Sequence, residues 1–375
     1  MNTVTSYCED CIQRRLFPGC AIAFGKSSSP PEYLFAGRIT YHPDASAVGL
    51  NTWYDLASLT KPIATVTAAM QAVRQERLTL ETPVRHFFPH IRVPEAEIRH
   101  LLSHSSGLPA YRPFFYACRN GEEVIEAIID CDPEYPAGSK SVYSDLGYML
   151  LGRILEQVFD QTFRNLVQEQ VLLPLRLDSI QFGPPLESSA STSGGWNTTL
   201  VATRLDGAGQ AGSIAPTELD FRLHGYLQGI VHDENARLFG GAAGHAGIFG
   251  KIAGVARFAQ LVLAAVVRGA NESSTPAMKN LVQFFRSWTH RQAWLLQSSW
   301  GLGWDTPTPA GSAGPALGSN SFGHTGFTGA SIWIDPDREL YICVLSNRVF
   351  PSRRTEGMKE ARRQIHALVV EGMRG

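Results

Sequence analysis

The chain has 375 residues, of which 44% are hydrophobic and 18% charged, a balance that excludes a disordered or fibrous protein and allows one large α/β domain or two smaller ones. Lys plus Arg number 33 against 34 for Asp plus Glu, a net charge of −1, so there is no electrostatic footprint for nucleic acid or an anionic membrane. The longest apolar segment, 258–267, falls well short of a membrane span. The first twenty residues have no basic start followed by an apolar stretch, and the six cysteines are irregularly spaced, so reduced thiols and a cytoplasmic location are expected. Cys8 and Cys11 form a lone CxxC without a second pair, which reads as two incidental cysteines on a first helix more readily than as a zinc or redox site.

In chain order, residues 6–15 read as a short helix. Residues 20–25 and 32–36 read as two strands joined by a turn rich in Ser and Pro. The glycines of 19–27 are spaced wrongly for a phosphate-binding loop, so this Gly-Lys-Ser reads as strand and turn. Residues 62–74 are apolar and alanine-rich with Pro62 in the first turn, the pattern of a buried helix. Further helices are predicted over 147–158 and 255–267, with an amphipathic helix over 354–373. Between them, 183–217 is rich in Gly, Ser, Thr and Pro and suggests a long excursion or a seam. Residues 330–334 and 340–345 read as a hairpin bridged by Asp335-Pro336-Asp337-Arg338. Early strands, a helical middle and late strands predict one sheet built from both ends of the chain, beside a helical lobe.

No GxSxG or HExxH is present. His232-Asp233-Glu234-Asn235 has metal-ligating atoms, but adjacent residues cannot all face one ion, so structural or substrate-facing polar work is expected there. Ser58-Leu59-Thr60-Lys61 is different. On a helix, residues three apart share a face, so the Lys61 amine can reach the Ser58 hydroxyl. A serine at a helix N-terminus also lies where backbone N–H groups stabilise a developing oxyanion. The same four residues would equally suit a helix cap with a solvated lysine.

Two later segments extend the pattern: Tyr143-Ser144-Asp145 ahead of a helix, and His324-Thr325-Gly326 running into a strand. In this order, Ser-x-x-Lys, Tyr-x-Asp and His-Thr-Gly resemble the active-site motifs of the serine β-lactamase and penicillin-binding-protein superfamily. The resemblance is to its class C-like branch, which includes D-amino-acid carboxypeptidases and family VIII carboxylesterases. It extends over nearly the whole chain, through residues 98–109, 135–152, 231–250, 300–304 and 323–349. It implies Ser58 as the acylated nucleophile, Lys61 as its proton partner and Tyr143 as a phenol that shares or relays the proton. A Lys61 ammonium nearby should lower the phenol below its ordinary value. His324 aligns with the Lys of Lys-Thr-Gly, and the Phe327 N–H aligns with the second oxyanion donor. Thr325, Gly326, Asp145, His245 and Trp300 are the remaining substrate-side candidates. Gly326 should keep the strand edge clear for substrate. His245, amid glycines and alanines, either lines the site or makes a loop-stabilising hydrogen bond, and Trp300 and Trp304 either wall a cleft or belong to the core.

Three features depart from the lactamase pattern. His324 removes a permanent cation that would hold a carboxylate, Asp145 adds negative charge where an asparagine is usual, and no export signal is read. The implied protein is an α/β (α+β) enzyme of the β-lactamase/transpeptidase-like fold, an antiparallel sheet flanked by helices plus a mostly helical lobe. A single domain over 1–375 is expected, with 1–56 and 255–375 forming the sheet lobe and 57–254 the helical lobe with the active-site loops. The implied activity is serine hydrolysis of small esters or amides, including muropeptide fragments, without metal or cofactor. A D-amino-acid peptidase or weak β-lactamase is the enzymatic alternative, and a non-catalytic peptide or penicillin sensor the alternative of another class. Neither a nucleic-acid partner nor a membrane span is expected, and oligomeric state is not legible.

Overall fold

A computed structural model describes residues 2–183, 214–221, 225–269, 276–295 and 298–373. The strands are β1 (Gly19–Gly25), β2 (Glu32–Gly37), β3 (Trp53–Asp55), β4 (Ile180–Phe182), β5 (Leu219–Asp220), β6 (Gly225–Tyr226), β7 (Ile248–Lys251), β8 (Phe322–Thr325), β9 (Ser331–Asp335) and β10 (Leu340–Ser346). Five of them form an antiparallel sheet in the order β2-β1-β10-β9-β8, so its centre is the pairing of an N-terminal strand with a C-terminal one. The expectation of one sheet built from both chain ends is met.

Alternation along each strand buries both faces. Ala21, Ala23, Cys343 and Leu345 face the larger core, toward the apolar helix Ile252–Val267. Cys20, Ile22, Phe24, Ile342 and Val344 face the other way, toward the terminal helices Asn2–Gln13 and Met358–Gly372. Cys8 and Cys11 are buried in that second core, and all six cysteines are free thiols. The β9–β10 hairpin closes where expected: Asp335 caps the turn by accepting from the Arg338 backbone at 3.2 Å and its guanidinium at 2.8 Å.

A second sheet, β3-β7-β4, is small and antiparallel. It joins the large sheet to the helical part, whose centre is the largely apolar and buried helix Asp145–Phe159. Ser144 caps that helix, its Oγ accepting from the Gly147 N–H at 3.3 Å. Predicted helices end within a few residues of the observed ones, but that over 62–74 is of two kinds: Lys61–Val66 is π-helical and Thr67–Arg74 is α-helical. Helices Gly121–Ile129 and Pro276–Trp288 were not individually predicted. Of the excursion expected over 183–217, residues 184–213 lie outside the described residues. Among the described residues, no helix is long and apolar enough to cross a membrane.

Candidate active site

Strand β3 runs directly into the turn that carries Ser58. The residue before it, Ala57, has φ 47°, a left-handed conformation costing a side-chain-bearing residue about 1–3 kcal/mol. The surroundings hold it there. Buried Asp55 accepts from the Ala57 N–H at 2.8 Å through Oδ1 and from the His232 N–H at 2.7 Å through Oδ2. Burial raises the Asp55 carboxyl, and those two N–H donors oppose it. Thr60 Oγ1 donates to the Ala57 carbonyl at 2.7 Å. Ser58 is therefore presented from a strained turn locked by its own backbone. Wide π-helical turns often mark functional segments, and the one that begins at Lys61 starts immediately behind this serine.

Lys61 has no exposed surface. Its Nζ donates to Ser58 Oγ at 3.0 Å, to Asp145 Oδ1 at 2.7 Å and to the His245 carbonyl at 3.2 Å, which uses all three of its protons. Burial is the largest single influence and works against the charge. Asp145 and Tyr143 together outweigh it, so Lys61 is held above its ordinary value as an ammonium. Tyr143 lies beside it, its ring centroid 4.8 Å from Lys61 Nζ. Its pKa is raised, contrary to expectation. Burial is the larger effect, Lys61 opposes it, and Asp145 returns much of what Lys61 takes away. The Asp145 carboxylate lines the cleft, as expected of a substrate-side residue, and it also neutralises the lysine.

The opposite wall is the edge of β8. A Cβ on Gly326 would lie 2.5 Å from the Leu56 carbonyl oxygen and 3.4 Å from the Ala57 Cβ. The glycine is thus required by its contact with the turn before Ser58, a constraint beyond the expected clearing of the strand edge for substrate. Thr328 Oγ1 ties the same segment to the Asp55 carbonyl at 2.7 Å. Half-exposed Phe327 follows, and its N–H has no partner among the described residues. His324 is buried, and its Nδ1–H donates to the Thr325 carbonyl at 2.9 Å. That bond leaves Nε2 as an unpartnered acceptor. Burial, then the Lys61 charge, push its pKa down to about 3, so the ring is neutral.

The two tryptophans separate. Trp300 lines the cleft, whereas Trp304 is core, stacked 6.3 Å from Phe258 and edge-on to Phe322 at 5.2 Å. Behind Tyr143 stands His104, which the sequence reading did not single out. It is buried with φ 57°, and its ring is 4.5 Å from those of Tyr143 and Trp300. Its Nδ1 accepts from the Ser144 N–H at 3.1 Å, which anchors the backbone between Tyr143 and Asp145.

Segment 231–250 supplies the far end. His232 pairs with Glu218 at 3.2 Å, Asp233 with His245 Nε2 at 2.9 Å, and Glu234 with Arg353 at 2.5 Å. Arg353 also pairs with Glu218 at 2.5 Å, so His232 and Glu234 join one ion-pair network while Asp233 is held by His245, and no metal-ligating cluster is present among the described residues. The His245 ring is turned to Asp233, so what this residue brings to Lys61 is its carbonyl. Ser58, Tyr143, Asp145, Trp300 and residues 324–327 line one cleft of about 620 Å³, together with Tyr111, Asp233, Arg348 and Arg353. That size suits a small organic substrate.

Residues 11–367 match a family model described as Beta-lactamase. A relative from Escherichia coli (strain K12), named "Putative D-alanyl-D-alanine carboxypeptidase", is 30% identical over 321 residues, covering 79% of this chain and 69% of that protein. One from Bacillus subtilis (strain 168), named N-acetylmuramyl-L-alanine amidase, is 28% identical over 319 residues, covering 79% and 68%. Among solved structures, a class C beta lactamase from Rhodobacter sphaeroides superposes with a TM-score of 0.72 at 17% identity, over 98% of this chain and 99% of that one. EstCE1, described as a hydrolase with promiscuous acyltransferase activity, superposes with a TM-score of 0.68 at 19% identity, over 98% of each chain. These structural likenesses establish the β-lactamase/transpeptidase fold. The chain belongs to the beta-lactamase family and is a serine hydrolase.

Proposed function

We propose that this hydrolase cleaves small esters or amides through an acyl ester on Ser58, with cell-wall muropeptide fragments as its natural substrates. One observation carries the reading: Lys61 Nζ lies 3.0 Å from Ser58 Oγ and 4.8 Å from the Tyr143 ring centroid, in a cleft of substrate size that Ser58 and Tyr143 line.

The protonation states suit a relay. Lys61 is an ammonium and Tyr143 a neutral phenol, so neither starts as a free base. As Ser58 Oγ bonds to the substrate carbonyl carbon, its proton passes to the Tyr143 oxygen while the phenol's own proton passes to the leaving oxygen or nitrogen. The phenol is neutral before and after, and Lys61 stabilises the charge that develops on it in between. The oxyanion is received by the N–H groups of Ser58 and Phe327, and collapse breaks the bond to the leaving group. Water then attacks the ester, its proton returns to Ser58 Oγ along the same path, and the acid is released.

Neutral His324 presents an acceptor where a lysine would present a cation. A hydroxyl or amide N–H fits against it, and a carboxylate does not. This supports neutral esters and amides over β-lactams. The name of the Bacillus subtilis relative supports a muramyl-alanine amide. Six free thiols fit a reducing compartment and hence the cytoplasmic reading. A D-amino-acid peptidase is the second reading. It is favoured by the name of the Escherichia coli relative and by Arg348 in the cleft, whose guanidinium lies 4.4 Å from the Phe327 ring centroid.

The test is turnover of p-nitrophenyl butyrate, an N-acetylmuramyl-alanine peptide and nitrocefin by wild type and by Ser58→Ala. Ester or amide turnover that far exceeds nitrocefin turnover and vanishes in Ser58→Ala is expected, and His324→Lys should narrow the gap. No turnover by folded wild type would favour a binding protein, and nitrocefin turnover equal to the ester would favour a lactamase.

A further inference from the structure

Arg362 has no role in the scheme above. It lies on the C-terminal helix Met358–Gly372, on the same face as Met358, Ile365 and Val369, is 7% exposed, and reaches the wall of the cleft beside Gly326 and Phe327. No carboxylate pairs with it among the described residues, and its Nε has no partner. Burial, then the charge of Arg348, weigh against its cation. An unpaired buried cation is costly, and a well-packed apolar residue would serve a purely structural face better.

What Arg362 does touch is the turn after β8. One nitrogen, Nη2, donates to the carbonyls of Gly326 and Ala330, each at 3.0 Å. The Gly326 carbonyl also accepts from the Gly329 N–H at 3.1 Å, and the Ala330 carbonyl from the Gly326 N–H at 2.7 Å. The Gly326 carbonyl and the Phe327 N–H are opposite ends of one planar peptide unit. Fixing the carbonyl therefore fixes the direction of the N–H. A cation on the carbonyl oxygen also draws electron density from the amide and strengthens its N–H as a donor.

We infer that Arg362 is a positioning residue for the oxyanion hole, orienting and polarising the Gly326–Phe327 peptide through its carbonyl so that the Phe327 N–H meets the developing oxyanion as a stronger donor. This rests on the proposed acylation of Ser58. It gives the buried cation a counter-charge that appears only during the reaction, at the far end of the peptide it holds. Because Arg362 acts through the peptide, its loss should appear in kcat and leave KM nearly unchanged. Deleting an oxyanion donor outright costs about 10²–10³ in kcat, so weakening one should cost about 10–100-fold.

The experiment compares Arg362→Met, Arg362→Gln and Arg362→Lys with wild type, each shown to be folded by thermal unfolding. The measurements are kcat and KM on p-nitrophenyl butyrate, the rate of Ser58 labelling by a fluorophosphonate, and the ester carbonyl stretch of a slowly hydrolysed cinnamoyl acyl-enzyme. Expected are kcat losses of about 10–100-fold in Met and Gln with slower labelling, partial recovery in Lys, and a carbonyl stretch that rises in frequency as the hole weakens. Should Arg362→Met not fold, the order of Lys above Gln decides the matter, because only Lys keeps the charge. Wild-type kcat and labelling in the folded variants, Lys no better than Gln, or a loss carried by KM, which would mean direct substrate binding, overturns the proposal. Absence of labelling at Ser58 in wild type would instead overturn the reading of function beneath it.

Discussion

Replacing Asp145 by asparagine tests the electrostatic arrangement directly. The Lys61 ammonium and the Asp145 carboxylate are 2.7 Å apart, and at an effective dielectric of about 20 their attraction is on the order of 6 kcal/mol. The Asp145 side chain is 19% exposed, so solvent takes up part of that attraction. The direction is fixed by both partners. Burial already works to lower Lys61, and the Asp145 charge raises both Lys61 and the Tyr143 phenol, so its removal lowers both. The asparagine side chain would keep an oxygen acceptor for Nζ, which limits the cost in stability. The assay is kcat/KM for p-nitrophenyl butyrate from about pH 6 to about pH 11, corrected for spontaneous hydrolysis, on protein of verified fold. If turnover needs the ammonium and the neutral phenol, the alkaline limb of the profile moves to lower pH in Asp145→Asn. An unmoved limb, or one displaced to higher pH, would refute the view that Asp145 sets the charge state of the pair.

Two further outcomes are expected. Lys61→Ala and Tyr143→Phe should each lower turnover by about 10²–10⁴-fold, and the double variant should be little worse than the poorer single one; multiplicative losses in a double-mutant cycle would assign them to separate steps. Burial lowers His324 to about 3 and His366 to about 4 from an ordinary 6.5, so below about pH 6.5 the unfolded chain takes up protons that the folded chain refuses. Stability should therefore fall as pH drops through that window, by about 1.4 kcal/mol per pH unit for each histidine. Urea unfolding at about pH 7 and pH 5 measures it, and His366→Gln, a residue that does not line the cleft, should flatten the slope; an unchanged slope would contradict the assignment.

What was legible in the sequence was what repeats or is close in register. The apolar runs 20–25 and 340–345 announce strands from both ends of the chain, and Ser58 with Lys61 is a local pair whose contact follows from helix spacing. The sign of the Tyr143 shift was not legible, because it depends on Asp145 standing 2.7 Å from Lys61 across 84 positions of chain. His104, Asp55 and Arg362 were missed for the same reason. Each acts through a backbone group brought to it by the fold, and nothing in a lone histidine, aspartate or helical arginine signals that. A second cause for Gly326 was not legible, since the atom its Cβ would strike belongs to Leu56, 270 positions earlier in the chain. Trp300 and Trp304 share a short segment, and only the packing of Phe258 and Phe322 around one of them separates cleft from core.

The most direct test of the account is the site of covalent modification. Purified protein treated with a fluorophosphonate probe and examined intact by mass spectrometry should gain a single adduct, which peptide mapping should assign to Ser58 and which Ser58→Ala should abolish. An adduct on any other residue, or none on folded protein, would contradict the claim that Ser58, presented by the strained Ala57 turn and held by Lys61 and Tyr143, is the nucleophile.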